Sequence, residues 1–241
     1  MKKSARNDHT GESNDLLFMI RKQIVRPDAK LVARLSKLPT ANLSDASGNL
    51  NTMDSGIQAM SPGARICGPA CTVSTRAADF VATLLGLGAA QKGDVLVIHN
   101  QGQPDVALWG EITTAEAQHK GLAGLVVDGK VRDIDGIRKR KFPVFARGTV
   151  PRVVGRGSLG EVNVPIQCGG VVVAPGDIVV GDSDGVVVVP KEKAETVLRL
   201  ALGIVDYENE LLAKVLKGQT QVEMFSLDEQ FKALLKGYRR H

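Results

Sequence analysis

The chain has 241 residues, 43% of them hydrophobic but only 4% aromatic, and carries a formal net charge of +5. That length suits one large domain or two small ones, with a core that must be built from Val, Leu, Ile and Ala. Much of the basic excess sits at the ends, in Lys2, Lys3, Arg6, Arg239, Arg240 and His241, and without interleaved aromatics it argues against nucleic-acid binding.

No apolar run is long enough to span a bilayer and the start lacks a leader pattern, so no membrane partner is expected. The three cysteines, Cys67, Cys71 and Cys168, form no Cys-x-x-Cys pair. They read as reduced, buried residues of a cytoplasmic protein. Residues 1–15 read as a flexible extension, 16–220 as one domain, and 221–241 as a C-terminal helix with a basic tail.

In chain order, helical spacing occurs over 16–24 and again over 28–38 after Pro27. Thr40 to Ala46 looks like a short helix closed off from its predecessor by Pro39, with Asp45 inside it. Residues 60–68 read as loop, 70–75 as strand, 80–90 as an apolar helix, and 92–98 as a turn delivering a buried strand. The phrase Gly-Asp followed by apolar residues recurs at Gly176-Asp177. A helix over 111–120, a strand over 122–127, a basic helix over 134–141 and a strand over 142–146 continue the alternation. That alternation implies a partly parallel sheet with helices on it. From 162 to 189 short strands follow one another between tight turns, then a long helix runs from about 191 to 217 and a short one over 227–235. The expected fold class is α/β: one domain with a β-rich layer and a long C-terminal helix, which the family resemblance carried by residues 107–133 narrows to a layered α/β/β/α domain of the swivelling β/β/α type.

Several motifs reduce to structure. Gly155 to Gly160 matches G-x-G-x-x-G, but a strand-like stretch with Pro165 follows where a dinucleotide fold needs a helix. Asp182, Asp184 and Gly185 begin like a calcium loop, yet Val187 and Val189 fill later ligand positions, so a hairpin turn is expected. The histidines are scattered, against zinc, and no nucleophile elbow is present.

What remains is the stretch from Trp109 to Asp133. An apolar strand, residues 122–127, runs into Asp128-Gly129-Lys130-Val131-Arg132-Asp133. Arg132 offers a planar fork for a carboxylate, and Asp133 a hard oxygen ligand for a cation. Gly110 places free backbone N–H groups at a helix start, where an anion is favoured. The competing reading is plain: Asp133 caps the next helix and Arg132 pairs locally.

At these residues the chain resembles the class II pyruvate aldolases that cleave 4-hydroxy-4-methyl-2-oxoglutarate or 4-carboxy-4-hydroxy-2-oxoadipate, which share a fold with the regulator of ribonuclease activity A. The resemblance runs over roughly 31–216 and rests on Ala107-Leu108-Trp109-Gly110-Glu111, on Gly124 to Asp133, on Phe142-Pro143-Val144-Phe145 with Arg147-Gly148, and on Val164 to Asp182. It implies that Asp133 binds a divalent metal, Mg²⁺ or Mn²⁺, with waters completing the shell. It implies that Arg132 holds the keto or carboxylate oxygen, and that the N–H groups of Gly110, Glu111, Ile112 and Thr113 receive the substrate carboxylate. Glu111 falls where the family has an acid serving the metal's water. Asp45 stands where many members have glutamate, and Glu208 is expected to enter the site from a neighbouring subunit of a homotrimer or homohexamer. Oxaloacetate decarboxylation is implied as a second activity. Members of the ribonuclease-regulator branch typically lack the aspartate after this arginine. Two alternatives stay open: a Schiff base on Lys130 or Lys120, and a non-catalytic protein that binds a ribonuclease or helicase.

Overall fold

The structure, a computed structural model, describes residues 19–21, 23–76, 80–101, 105–153, 155 and 160–238. Its elements in order are α1 (Ala29–Leu35), α2 (Thr40–Ala46), β1 (Gln58–Ala59), β2 (Ile66–Arg76), α3 (Phe80–Ala89), β3 (Val95–Gln101), α4 (Glu111–Lys120), β4 (Gly124–Asp128), α5 (Ile134–Arg140) and β5 (Val144–Ala146). Then come β6 (Glu161–Val162), β7 (Ile166–Cys168), β8 (Val171–Val173), β9 (Ile178–Asp182), β10 (Gly185–Val189), a 3₁₀ turn at Lys191–Lys193, α6 (Ala194–Leu216), α7 (Gln221–Met224) and α8 (Leu227–Tyr238). The result is a mixed α/β domain with a central mixed sheet and a long C-terminal helix, as the sequence implied.

Strand order is β1-β5-β4-β3-β2-β9-β10, with β6 also on β2. Strands β2, β3, β4 and β5 are parallel neighbours joined through α3, α4 and α5, three successive crossovers. Strand β2 serves two partners along its length. Ile66–Pro69 pair antiparallel with β9, whereas residues 70–76 pair parallel with β3.

The two-residue period of the strands sorts the core into layers. Leu96 and Ile98 of β3, with Leu125 and Val127 of β4, pack toward Leu87, Ala117 and Ile137 of α3–α5. Their neighbours Val95, Val97 and Val126 face the other way and share a core with Val179, Val186 and Val188. The alternate residues of β9 and β10 (Ile178, Val180, Val187 and Val189) then meet Leu31, Leu35, Leu43, Leu198 and Ala201 of α1, α2 and α6. Helices, sheet, sheet, helices is the resulting sequence of layers.

Two expectations need correction. The segment expected as a helix over 16–24 is extended where it is described: Ile20 bridges Val162, and Arg21 N–H donates to the Val162 carbonyl at 3.1 Å. Its apolar residues serve a sheet edge. Strand β2 starts at Ile66, inside the expected loop, because β9 supplies a partner far away in sequence. The N-terminal extension, the basic end 239–241 and most of the glycine motif (156–159) lie outside the described residues. At the end of that motif Gly160 runs into β6, a strand as expected. Asp182 to Gly185 is the β9–β10 turn, its carboxylate accepting from Thr40 N–H (3.0 Å), Thr40 Oγ1 (2.6 Å) and Asp184 N–H (3.0 Å).

Candidate active site

The site forms where the chain leaves β3 and β4. Segments 107–109 and 130–132 zip together: Leu108 N–H donates to Lys130 O at 3.0 Å and Arg132 N–H to Trp109 O at 2.9 Å. Residues 148–153 join on both sides, through Val131 N–H to Gly148 O (3.0 Å) and Ala107 N–H to Arg152 O (2.8 Å). Trp109 is 1% exposed, and its Nε1–H donates to Thr114 Oγ1 at 2.7 Å. This anchor fixes the turn from Trp109 into α4, so Gly110 faces Arg132 and Asp133.

Gly110 is the N-cap of α4, and a Cβ there would lie 2.6 Å from Asp133 Oδ2 and 3.3 Å from Arg132 Cγ. A glycine is therefore required by close approach rather than by its dihedrals. The Asp133 carboxylate accepts the Glu111 N–H at 3.2 Å, and Arg132 Nε lies 3.5 Å from the same oxygen. The amides of Ile112 and Thr113, also in the first turn, are ones a helix leaves without intrahelical partners. Positive charge and N–H dipoles thus converge on one carboxylate.

Asp133 occupies the N-cap position of α5, yet its side chain makes no cap hydrogen bond to that helix. Its backbone is left-handed (φ 56°, ψ 40°), a conformation uncommon outside glycine and tolerated best by Asn and Asp. The simple capping explanation for this aspartate is therefore excluded. The carboxylate reaches across to the start of α4 instead, at the cost of a left-handed residue.

A cleft of about 430 Å³ opens here, lined by Gly110, Ile112, Thr113, Arg132 and Asp133 with Trp109 and Ala107 behind. That volume lies within the small-molecule range. The side chains of Arg132 and Asp133 are 40% and 44% exposed, open to a ligand. Five of the expected residues therefore meet in one cavity. Glu111 leans away over Gly136 of α5, where Arg140 grips its Oε1 through Nη2 at 3.1 Å and Nε at 3.2 Å.

Glu208 and Asp45 are elsewhere. Asn42 Nδ2 donates to Glu208 Oε2 at 2.6 Å, tying α2 to α6 in the outer helical layer, and Asp45 is exposed one turn further along α2. Neither α2 nor α6 contributes to the cleft of its own chain among the described residues. Both lysines proposed for a Schiff base are engaged outside it. Lys130 Nζ meets Asp105 Oδ1 at 2.5 Å, and Lys120 Nζ donates to the carbonyls of Leu87 (2.5 Å) and Gly88 (2.9 Å).

Two features escaped the sequence. Glu116 lines the cleft, one helical turn beyond Ile112 and Thr113. The i, i+3 and i, i+4 rule applied from those residues would have placed it there. The second is a clasp beneath β4. Arg147 Nη1 and Nη2 bind Asp54 at 2.8 and 2.7 Å, and its Nε binds Asp128 Oδ1 at 2.5 Å. Asp128 Oδ2 accepts the Gly169 N–H at 2.8 Å. Burial opposes ionisation of Asp128, but His99, its Nδ1 3.8 Å away, and hydrogen bonds from Arg147 and Gly169 more than offset it and hold the carboxyl below its ordinary range. Arg147 holds Asp54 down likewise. Arg147 N–H also donates to Gly129 O at 2.9 Å, so the clasp steadies the root of the Arg132–Asp133 loop.

The thiols take no part. All three are free, and burial pushes Cys67 and Cys71 each up to about 12 and Cys168 well above the usual value.

An Aldolase/RraA family profile matches residues 40–188, more than half of the chain. The chain belongs to the RraA-like aldolase family. A relative from Halalkalibacterium halodurans, named "Putative 4-hydroxy-4-methyl-2-oxoglutarate aldolase", is 39% identical over 170 residues, 70% of this chain and 81% of its own. A crystal structure from Pseudomonas syringae superposes with a TM-score of 0.73 at 30% identity, covering 82% of this chain and 97% of that one. Streptomyces coelicolor RraAS2, described as an unusual member of the RNase ES inhibitor RraA family, gives 0.69 at 30% identity over 82% and 100%. RraA-like relatives thus carry both an aldolase name and an inhibitor name. No helix among the described residues of this family member is long and apolar enough to cross a membrane.

Proposed function

We propose that the protein is a divalent-metal-assisted lyase that releases pyruvate from a 4-hydroxy-2-oxo acid, with oxaloacetate decarboxylation as a second activity. The observation that carries this reading is the Arg132–Asp133 pair, 3.5 Å apart at the open N-terminus of α4 in a cleft of substrate size. The name of the Halalkalibacterium relative supports the same class of reaction.

A metal fits the residues present in one particular way. Among the described residues no three His, Cys, Asp or Glu side chains gather to hold an ion. A single half-exposed carboxylate with water and substrate oxygens around it is how Mg²⁺ is commonly held, and Asp133 offers that; Mn²⁺ takes similar oxygen ligands. Bound there, the cation would supply positive charge against the electrons left behind when the carbon–carbon bond parts.

The chain's own groups do the rest. The first-turn amides of α4 take the substrate carboxylate, and the Arg132 fork holds the keto side without needing to titrate. Asp133 is fixed beside them by the Glu111 N–H. Glu111, held by Arg140, acts on a proton through an intervening water rather than by direct contact. Asp45 and Glu208 join the site only where a second copy brings its outer layer to this cleft, which a trimer or pair of trimers would do.

Arg132→Lys keeps the charge and loses the fork. In a coupled pyruvate assay with 4-hydroxy-4-methyl-2-oxoglutarate and Mg²⁺, it should lower kcat/KM by about a hundredfold. Undiminished turnover would remove Arg132 from the reaction. The competing reading, a regulator of a ribonuclease, draws on the Streptomyces relative's description. Tight binding of such an enzyme, with no turnover of any oxo acid, would favour it.

A further inference from the structure

Glu111 opens α4 with its backbone and its side chain held in different places. Its N–H donates to Asp133 Oδ2 at 3.2 Å, which ties the backbone to the Arg132–Asp133 pair. Its carboxylate reaches the other way, across Gly136 of α5, to Arg140, whose Nη2 and Nε lie 3.1 and 3.2 Å from Oε1. Residues 136 and 140 stand one turn apart on one face of α5, so the first forms the floor of a seat and the second its wall. Gln118 Nε2 donates to Arg140 O at 3.1 Å and so fastens the wall to the helix that carries Glu111.

The floor exists because residue 136 has no side chain. A Cβ there would overlap the carboxylate and lie 2.9 Å from Glu111 Cγ. Glycine is unfavourable inside a helix, and Gly136 is not among the residues of positive φ, so no backbone demand accounts for it. The ion pair itself is open to solvent, its side chains 37% and 42% exposed, and such pairs add little to stability. What the seat determines is where the carboxylate sits.

Resting on the lyase reading above, we propose that Arg140 and Gly136 are positioning residues that hold the Glu111 carboxylate at one station beside the cleft. In the cleavage the C4 hydroxyl loses a proton as the C3–C4 bond breaks and C4 becomes a carbonyl. The electron pair stays on C3, which takes up a proton to become the methyl group of pyruvate. From its seat Glu111 receives the first proton through a water and returns it to C3 by the same route. A relay of this kind depends on geometry before anything else. Freed from the guanidinium, or pushed off the floor by a Cβ, the flexible side chain spreads over several rotamers and leaves the station mostly empty.

The experiment measures kcat and KM for 4-hydroxy-4-methyl-2-oxoglutarate with Mg²⁺, together with melting temperature. It compares wild type, Glu111→Gln, Arg140→Gln, Arg140→Lys and Gly136→Ala, then Arg140→Gln and Gly136→Ala again in the Glu111→Gln background. Glu111→Gln should lower kcat about a hundredfold. Arg140→Gln and Gly136→Ala should each lower it about tenfold, with KM within about twofold, since neither touches the amides or Arg132 that hold the substrate. Arg140→Lys should recover part of the loss, and melting temperatures should stay within a few degrees of wild type. In the Glu111→Gln background neither change should lower kcat further, because a residue that acts only through Glu111 then has nothing to act on. Losses that persist in that background, a kcat that rises in Arg140→Gln, or a Glu111→Gln variant as fast as wild type overturns the assignment while the lyase stands. No pyruvate from the wild type overturns the lyase and the assignment together.

Discussion

Asp133 Oδ2 lies 3.2 Å from the backbone nitrogen of Glu111, so the carboxylate at the start of α5 is directed to the N-terminus of α4. The left-handed backbone at Asp133 is what permits this, and it has a local cost that the first-turn amides of α5 do not repay. The pairing makes stability and activity separable at one residue.

Asp133→Gly should therefore abolish pyruvate release while leaving thermal stability unchanged or raised by about 1 kcal/mol, since glycine accepts φ 56° freely. Asp133→Ala should be equally inactive but less stable than the glycine variant by about 1 kcal/mol. Calorimetry beside the pyruvate assay separates the two. A glycine variant that unfolds would show the carboxylate to be structural.

Gly110→Ala puts a Cβ 2.6 Å from Asp133 Oδ2, closer than such contacts are tolerated. The carboxylate must move, and with it the pair that the reaction uses. An activity loss of about tenfold to a hundredfold is expected, with a melting temperature within a few degrees of wild type. Full activity in this variant would show that the placement of the pair does not matter.

The clasp at Arg147 makes a prediction about pH. Asp54 and Asp128 both have their carboxyl groups held below the ordinary value in the folded protein. The unfolded chain then binds protons first as pH falls, so the stability contributed by the clasp is present above about pH 4 and is lost below it. Asp128→Asn should lower stability at pH 7 by about 2 kcal/mol, roughly 5 °C in Tm, and flatten the acid-side decline. A melting temperature that ignores pH between 5 and 3 in wild type would contradict this.

Lys130 and Lys120 are tied to Asp105 and to the end of α3. Borohydride added with pyruvate should leave the protein's mass unchanged, and Lys130→Ala should keep its turnover. A trapped adduct would instead mark a Schiff-base enzyme.

Much of the layered fold was legible because strand and helix periods differ. Residues 95–98, 125–127, 178–180 and 186–189 are apolar on both faces, as strands buried between layers must be. The first four residues of β2 were not legible, since their pairing with β9 depends on a partner remote in sequence. The extended run after Met19 misled for the related reason that a few apolar residues fit either period. At the site, Gly110, Arg132 and Asp133 stood out by residue type and adjacency. Their meeting depends on hydrogen bonds between residues 107–109 and 130–132 that no local pattern encodes. Glu111 looked like a member of the cleft, but Arg140, a full helix away, draws it aside.

Pyruvate release before and after removal of divalent metal tests the central claim most directly. Turnover should stop in chelator and return on adding Mg²⁺ or Mn²⁺ to the wild type, with no return in Asp133→Gly. Undiminished pyruvate formation in chelator, or metal-restored turnover without the carboxylate at 133, would contradict it.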